Sequence, residues 1–413
     1  MIKELHLENW KSYASGKLYI DPLTILIGTN ASGKSNVVDA LLFLQKISRG
    51  LQLTSAVRGD QYNEGIRGNL DWLIKKGEEK ATLKIIFQSS IHSSTDYEYF
   101  ISIVKIDNRI EVFSEYLSRV KYTKTKKKSY SKNLFYTNEG ASELPSIAAY
   151  FATNTQGRGK KVELRKSISV LSQSVSLSLL KEVQEGINEL VQTLTHIFVL
   201  DPIPSHMRNY APLSEVLLSD ASNVAGVLAA LDESRKTVVE EKLTNYLRFL
   251  PEKDVVKVWV EAVGKFQSDA MLYCKERWEA SQEDFIVDAR GMSDGTLRFL
   301  AILTALLTIK EGSLLVVEEI DNGLHPSRAD LLVKFLKEIG ESRKIDIVCT
   351  THNPALLDAF GNEMISFISL VYRNKVSGNS EIKLLENVSD LPKLLARGTI
   401  GKLATRGYLQ AAI

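Results

Sequence analysis

Four short stretches of this 413-residue chain carry side chains whose types and spacing suit phosphate chemistry. The first, Gly28-Thr-Asn-Ala-Ser-Gly33-Lys34-Ser35, fits G-x-x-x-x-G-K-[ST]. Small residues let such a loop wrap closely, so that backbone N–H groups point at phosphate oxygens. Gly28, Asn30, Gly33 and Asn36 belong to that cradle; Lys34 would neutralise the β- and γ-phosphates, and Ser35 would give an oxygen to Mg²⁺. The second, Leu314-Leu-Val-Val-Glu318-Glu319, brings two acids to the end of an apolar strand. Glu318 is assigned to the metal, through water, and Glu319 to polarising a water for attack on the γ-phosphate. Taken alone, two acids at a strand end are as well explained as a solvated tip.

The third stretch is Met292-Ser293-Asp294-Gly295-Thr296, at the start of a helix. Ser293 suits an ordinary N-cap, but a helix start with Ser293 and Gly295 is also a second phosphate-binding surface. The fourth is Thr350-Thr-His-Asn-Pro354, where His352 could hydrogen-bond a γ-phosphate and report its presence. Asn353 beside it does not make a nuclease HNH element, because one His–Asn pair is too little.

These residues need elements to hold them. The apolar run 23–27 reads as a strand buried on both faces, stopping at Gly28, with a helix over 35–44 after the loop. Near the other end, a helix over 295–309, a strand over 314–317, a helix over 328–339 and a strand over 345–349 alternate, which points to a mainly parallel α/β sheet. Between these ends, 81–120 alternates as antiparallel strands do, and 177–198, 224–231 and 237–250 suit helices. The segment 121–166 reads as a mobile loop. It holds eleven Lys/Arg against three Glu, so +8 of a total of +2, leaving −6 elsewhere. We expect a head formed by 1–88 and 285–413 and an inserted lobe over 89–284. No heptad run long enough for a coiled-coil arm is present, and no repeat of fixed period.

With 44% hydrophobic and 25% charged residues the chain reads as an ordinary soluble globular protein. The start is interrupted by Glu4, Glu8 and Lys11, so no leader pattern is seen, and the longest apolar run is too short for a bilayer. A cytoplasmic location without membrane contact is expected. Cys274 and Cys349 read as reduced, buried thiols. The histidines lack metal-ligand spacing, so no structural metal is expected.

The order GTNASGKS, MSDGT, LLVVEE and TTH resembles the ABC ATPases of the RecF/SMC superfamily. The resemblance implies an α/β fold: an ABC-type P-loop NTPase head with an inserted α+β/helical lobe and no long coiled coil. It implies ATP and Mg²⁺ as cofactors and a homodimer, possible as part of a higher oligomer, in which each Ser293/Gly295 pair faces the ATP held by the partner's loop. The opening ENWKSY resembles that of the same proteins and adds Lys11 and Ser12 as ATP contacts, while Asn322 to His325 would sit at the dimer interface. Further stretches, Asp201-Pro-Ile-Pro-Ser-His-Met-Arg208, Ser219-Asp-Ala-Ser-Asn-Val-Ala225 and Arg397-Gly-Thr-Ile-Gly-Lys-Leu, are similar to stand-alone RecF-like ATPases of bacterial anti-phage systems such as Septu, PARIS and AbiL-type abortive infection. That likeness implies a separate effector, a nuclease or toxin, under control of the ATPase.

The chain departs from the resemblance in places. Glu318 stands where the superfamily usually has Asp, and Asp294 where many ABC proteins have Gly. The glutamine of the Q-loop has no clear position, Gln61 and Gln88 being guesses. Some sixty residues follow His352 without a DxD pattern, so the Toprim nuclease of overcoming-lysogenization proteins is not expected. The rival to an effector-controlling ATPase is a RecF-like clamp that binds DNA through the basic segment, where lysines 124–128 with Tyr122, Tyr130 and Tyr136 suit phosphate contact and base stacking.

Overall fold

A computed structural model describes every residue except 62, 124–127, 140–143, 155–158, 250–254, 278–282, 324 and 413. The chain forms two compact units, Met1–Ile197 with Ser369–Leu384, and Phe198–Ile368 with Leu385–Ile413.

In the first unit, neighbouring strands run in the order Leu23–Ile27, Ile368–Arg373, Ser380–Leu384, Tyr13–Tyr19, Ile2–Trp10, Lys80–Gln88, Thr95–Ile106, Arg109–Tyr122, Lys128–Thr137, Ser146–Phe151 and Lys160–Arg165. Period-two patterning sets the register. Leu5, Ile85, Tyr99 and Leu117 face one another across four adjacent strands, and all four are fully buried. Leu23–Ile27 is buried at every position, as its unbroken apolar sequence requires. The helix Lys34–Ser48 buries Val37, Val38, Leu41, Leu44 and Ile47, and Phe43 packs against Trp10 with ring centroids 5.4 Å apart.

In the second unit, Leu314–Val317 and Asp346–Thr351 pair in parallel, each buried throughout. The helix Asp294–Thr308 is apolar on nearly all sides, and Phe299 meets Phe335 of Ala329–Arg343 at 5.8 Å. A separate antiparallel sheet joins Ala211–Pro212, Asp269–Arg277, Val255–Val263 and Asp284–Asp288.

The pairings follow the two patterns read from the sequence, parallel among the alternating elements and antiparallel over 81–120. Parallel pairing is seen between Leu314–Val317 and Asp346–Thr351, but successive hairpins between 80 and 165 make that part of the first unit antiparallel. The basic segment 121–166 is not the loop expected. It contains the strands Lys128–Thr137, Ser146–Phe151 and Lys160–Arg165, and Ser146–Phe151 hides Ile147, Ala149 and Phe151 in strict alternation. The other positions, Ser146, Ala148 and Tyr150, include an alanine and a tyrosine, so the alternation does not stand out in the sequence. Lysines at 124, 126 and 127 lie outside the described residues. Helices expected over 177–198 and 237–250 are found as Lys181–Thr195 and Glu233–Arg248. Among the described residues no helix is long and apolar enough to cross a membrane. Cys274 and Cys349 are both buried and unbridged.

One acid inside the first unit holds a turn in place. Glu115 is fully buried and accepts hydrogen bonds from Val170 N (2.7 Å), Leu171 N (2.8 Å) and the Tyr99 hydroxyl (3.0 Å). Burial pushes its carboxyl up to about 7, against the opposing pull of these donors. Because the folded value lies above the unfolded one, the neutral carboxyl's contribution to stability is complete below about pH 4.5 and lost as pH rises through about 7. Urea unfolding at pH 5 and pH 8 is expected to show greater stability at the lower pH from this site, and Glu115→Gln is expected to flatten that difference. An unchanged pH slope in the variant contradicts the assignment.

Candidate nucleotide site

The phosphate loop lies in the first unit, and its shape follows from where its carbonyl groups go. Lys34 Nζ donates to Gly28 O (2.6 Å) and Thr29 O (3.1 Å). Arg373 Nε donates to Ala31 O (3.2 Å), Ser380 Oγ to Ser32 O (2.6 Å) and the Tyr13 hydroxyl to Gly33 O (3.0 Å). These side chains fix the loop's peptide planes from outside; within the loop Ser32 N donates to Thr29 O (3.2 Å) and Asn36 N to Gly33 O (3.0 Å). The following helix starts at Lys34 with no side-chain cap and no acid in its first turn, so its N-terminal N–H groups and dipole favour an anion. Gly28 (φ 156°) and Gly33 (φ 116°) cannot be replaced at no cost: a Cβ on Gly28 would lie 2.1 Å from Val371 O, and one on Gly33 2.5 Å from Ser380 Oγ. Thr29 and Asn30 are exposed at the loop tip, and the buried Ser32 Oγ has no hydrogen-bond partner. An orphaned hydroxyl beside unmet helix-start amides fits an incoming phosphate.

Lys11 and Ser12 stand behind this loop. Lys11 Nζ pairs with Asp39 Oδ2 at 2.6 Å and donates to Arg67 O at 2.6 Å, while Arg67 Nε reaches Asp39 Oδ1 at 3.2 Å. Ser12 Oγ meets Ser380 Oγ at 2.7 Å and accepts from Asn36 Nδ2 at 2.7 Å. Thus Asn36 and Ser12 form one polar chain that ends on the loop carbonyl of Ser32. Ser35 is half-buried in the first turn of the helix.

The other three motifs lie in the second unit. Ser293 caps its helix, its Oγ accepting from Thr296 N at 3.1 Å. Gly295 packs on the loop after the two glutamates: a Cβ there would lie 2.6 Å from Gly323 O. Glu318 is buried at the end of Leu314–Val317, whereas Glu319 is exposed and adopts φ 44°, a left-handed conformation rare for a non-glycine residue. Thr350 Oγ1 accepts from Glu319 N (2.8 Å), Ile320 N donates to Thr350 O (3.1 Å) and Asn322 N to Glu319 O (2.7 Å). Thr351 Oγ1 donates to Asp321 Oδ1 (2.5 Å) and accepts from Asn353 N (3.1 Å). His352 is exposed at the end of the strand that pairs with Leu314–Val317, so acid and imidazole emerge from the same end of two parallel strands. Asn353 serves as a helix cap, accepting from Ala355 N at 2.9 Å. His325 caps the turn Pro326–Arg328 and is exposed, as are Asn322 and Gly323. Burial raises the Cys349 thiol well above its ordinary range, so it stays unreactive.

Among the described residues no cluster of three or more His, Cys, Asp or Glu could hold a metal by itself. A hydroxyl such as that of Ser35 and an acid such as Glu318 are each of a kind that binds Mg²⁺ together with phosphate and water. Neither guess for the Q-loop gains support: Gln61 is exposed, and Gln88 Nε2 donates to Ser93 O (3.0 Å) in a strand turn. Sequence reading missed Tyr13, Ser380, Arg373, Asp39 and Arg208. Arg208 sits in a quoted stretch, and its guanidinium binds the signature loop. Asp39 was signalled only as an acid on the buried face of an apolar helix.

A glycine loop leading into a bare helix start, with a strand-end acid pair and a histidine on the neighbouring strand, defines a P-loop ATPase of the ABC type. Residues 23–358 match the family described as "AAA domain, putative AbiEii toxin, Type IV TA system", and the chain belongs to that family as an SMC/RecF-like ABC ATPase. Its fold is that of SMC heads. The structure titled "Crystal structure of the SmcHead bound to the C-winged helix domain of ScpA" matches with TM-score 0.52 at 14% identity, over 92% of this chain and 97% of that one. An Smc head with an extended coiled coil, bound to the C-terminal domain of ScpA derived from Pyrococcus furiosus, matches with TM-score 0.53 at 12% identity, over 96% and 99%. Sequence likeness is more local. Structural maintenance of chromosomes protein 1 of Arabidopsis thaliana is 30% identical over 132 residues, 29% of this chain and 10% of that protein. Chromosome condensation protein dpy-27 of Caenorhabditis elegans is 52% identical over 48 residues, 11% and 3%. The matched stretches thus span a tenth or less of those relatives' length.

Gly28→Ala is expected to weaken binding of a fluorescent ATP analogue by at least about tenfold, roughly 1.4 kcal/mol, because the loop must shift off Val371. Titration with wild-type affinity contradicts this view of the loop.

Proposed function

We propose that the chain is an ATP-hydrolysing switch that dimerises around ATP and thereby controls a separate effector in anti-phage defence. The observation that carries the reading is that one chain builds two separate helix starts suited to phosphate, one after Gly33 and one at Ser293. A P-loop satisfies one of them with its own nucleotide. The Ser293/Gly295 start then serves the ATP of a second copy, giving two composite sites related by a two-fold axis.

Within each composite site, Lys34 and the amides of 28–36 hold the phosphates, and Ser35 with Glu318 holds Mg²⁺. Glu319 takes a proton from the attacking water, and His352 donates to the γ-phosphate, so both residues lose their partner on hydrolysis. Lys11 and Ser12 act by supporting the loop, in line with their bonds to Asp39 and Ser380. The functional division is a head of 1–88 and 285–413 with the lobe 89–284 inserted. The family's printed description as a toxin-system component supports the effector reading, and the Smc heads bound to ScpA show that such heads take protein partners.

The rival, a DNA clamp, rests on the cations of 121–166, and ATP-dependent, salt-sensitive DNA binding would favour it. Lys34→Ala is expected to abolish ATP binding in a titration. Glu319→Gln is expected to bind ATP, to hydrolyse it at least about a hundredfold more slowly, and to elute as a dimer only with ATP. Wild-type turnover in Glu319→Gln, or a monomer under saturating ATP, overturns the mechanism.

A further inference from the structure

Arg208 makes a concentrated set of contacts with one loop. Its Nη1 donates to Ala289 O (3.1 Å), Arg290 O (2.8 Å) and Met292 O (2.7 Å), and its Nη2 pairs with Asp294 Oδ1 at 2.5 Å. Every acceptor lies within six residues that end at the start of the signature helix. We propose that Arg208 is the positioning residue of this loop, setting both the place and the charge of the Ser293 helix start offered to the partner's ATP. The proposal rests on the composite-site reading above.

The geometric half of the argument begins with what holds Arg208. It follows the short helix Pro204–Met207, in which Met207 is buried. Asp201 N donates to Ser219 O (2.8 Å) and Ile203 N to Asp220 O (2.9 Å). His206 Nδ1 meets Asp220 Oδ2 at 3.0 Å, and Asp220 Oδ1 accepts from Ser222 N. The stretches 201–208 and 219–225, which the sequence set apart without a role, are therefore one bracket with the guanidinium at its end. Three carbonyls of the irregular turn 289–292 share the two hydrogens of Nη1 while Nη2 faces Asp294, so one planar guanidinium spans the whole turn.

The electrostatic half concerns Asp294. A carboxylate in the first turn of a helix suits the helix dipole but repels a phosphate approaching the same N–H groups. The ion pair with Arg208 offsets part of that charge, the Asp294 carboxylate being largely exposed to water. An acid in place of the glycine found in many ABC signatures therefore comes with its own cation. Losing Arg208 would leave a bare negative charge beside the γ-phosphate and free the turn at the same time.

The test uses full-length protein, ATP and a fluorescent ATP analogue. Arg208→Ala is expected to lower kcat for ATP hydrolysis by tenfold or more while the analogue binds the P-loop with wild-type affinity. Arg208→Lys, which keeps the charge but not the fork, should recover part of the rate, and it replaces the alanine variant if that one fails to fold. The decisive measurement is complementation. Arg208→Ala and Lys34→Ala are co-expressed with different tags, the doubly tagged dimer is captured with ATP in the absence of Mg²⁺, and turnover is started by adding Mg²⁺. That dimer has one site with an intact P-loop and an intact partner signature, so about half the wild-type rate should return. Ser293→Arg paired with Lys34→Ala is the control for the composite site itself. Recovery in the control but not with Arg208→Ala overturns the positioning role, as does weakened analogue binding by Arg208→Ala alone. Silence in both mixtures overturns the composite site, and the role of Arg208 with it.

Discussion

The structure of the phosphate site depends on leaving peptide N–H groups unpaired without letting the loop collapse onto them. A backbone amide that finds a carbonyl partner within the loop is less available to a ligand, as Ser32 N is here through Thr29 O (3.2 Å). Here the loop carbonyls of Gly28, Thr29, Ala31, Ser32 and Gly33 are each engaged by a side chain: Lys34 for the first two, then Arg373, Ser380 and Tyr13. Each such bond contributes about 1 kcal/mol, more where the donor is charged. Together they fix which way each peptide plane faces, which matters more for binding than their sum does for stability.

Three of these donors come from other elements, two of them far away in the chain. Tyr13 belongs to the opening hairpin, and Arg373 and Ser380 to a hairpin some 340 residues later that joins the first unit. The loop can therefore recognise phosphate only after both ends of the chain have met. Nothing at Ser380 announces this. A serine opening a polar strand has no periodic or motif signal, and contacts over such separations leave no trace in a single sequence. The strand 23–27 and the helix after it were legible because burial on both faces requires an unbroken apolar run and because glycine must end it. By contrast, the strands between 128 and 165 were hidden, since Lys160–Arg165 is mostly charged and the alternation of Ile147, Ala149 and Phe151 is short. The motifs themselves were legible for a chemical reason: phosphate binding tolerates few residue types at fixed spacing. The supports behind them were not, because many side chains can donate to a carbonyl.

The second unit applies the opposite tactic to its chemical groups. In the phosphate loop the cation is buried and held by neighbours, whereas Glu319 and His352 project from strand ends into the open. Glu319 does so in a left-handed conformation that costs about 1–2 kcal/mol. That cost is sustained by the bonds to Thr350 on one side and Asn322 on the other. A relaxed extended residue would continue the line of Leu314–Val317 and alternate its side chain with that of Glu318. The left-handed step breaks the alternation, so that two adjacent acids need not take opposite faces. The left-handed step at Glu319 thus sets the direction in which its carboxylate leaves the strand, beside the buried Glu318. The same turn carries Asp321 to Thr351 and Gly323 to Gly295, so the acid, the histidine strand and the signature helix share one backbone loop.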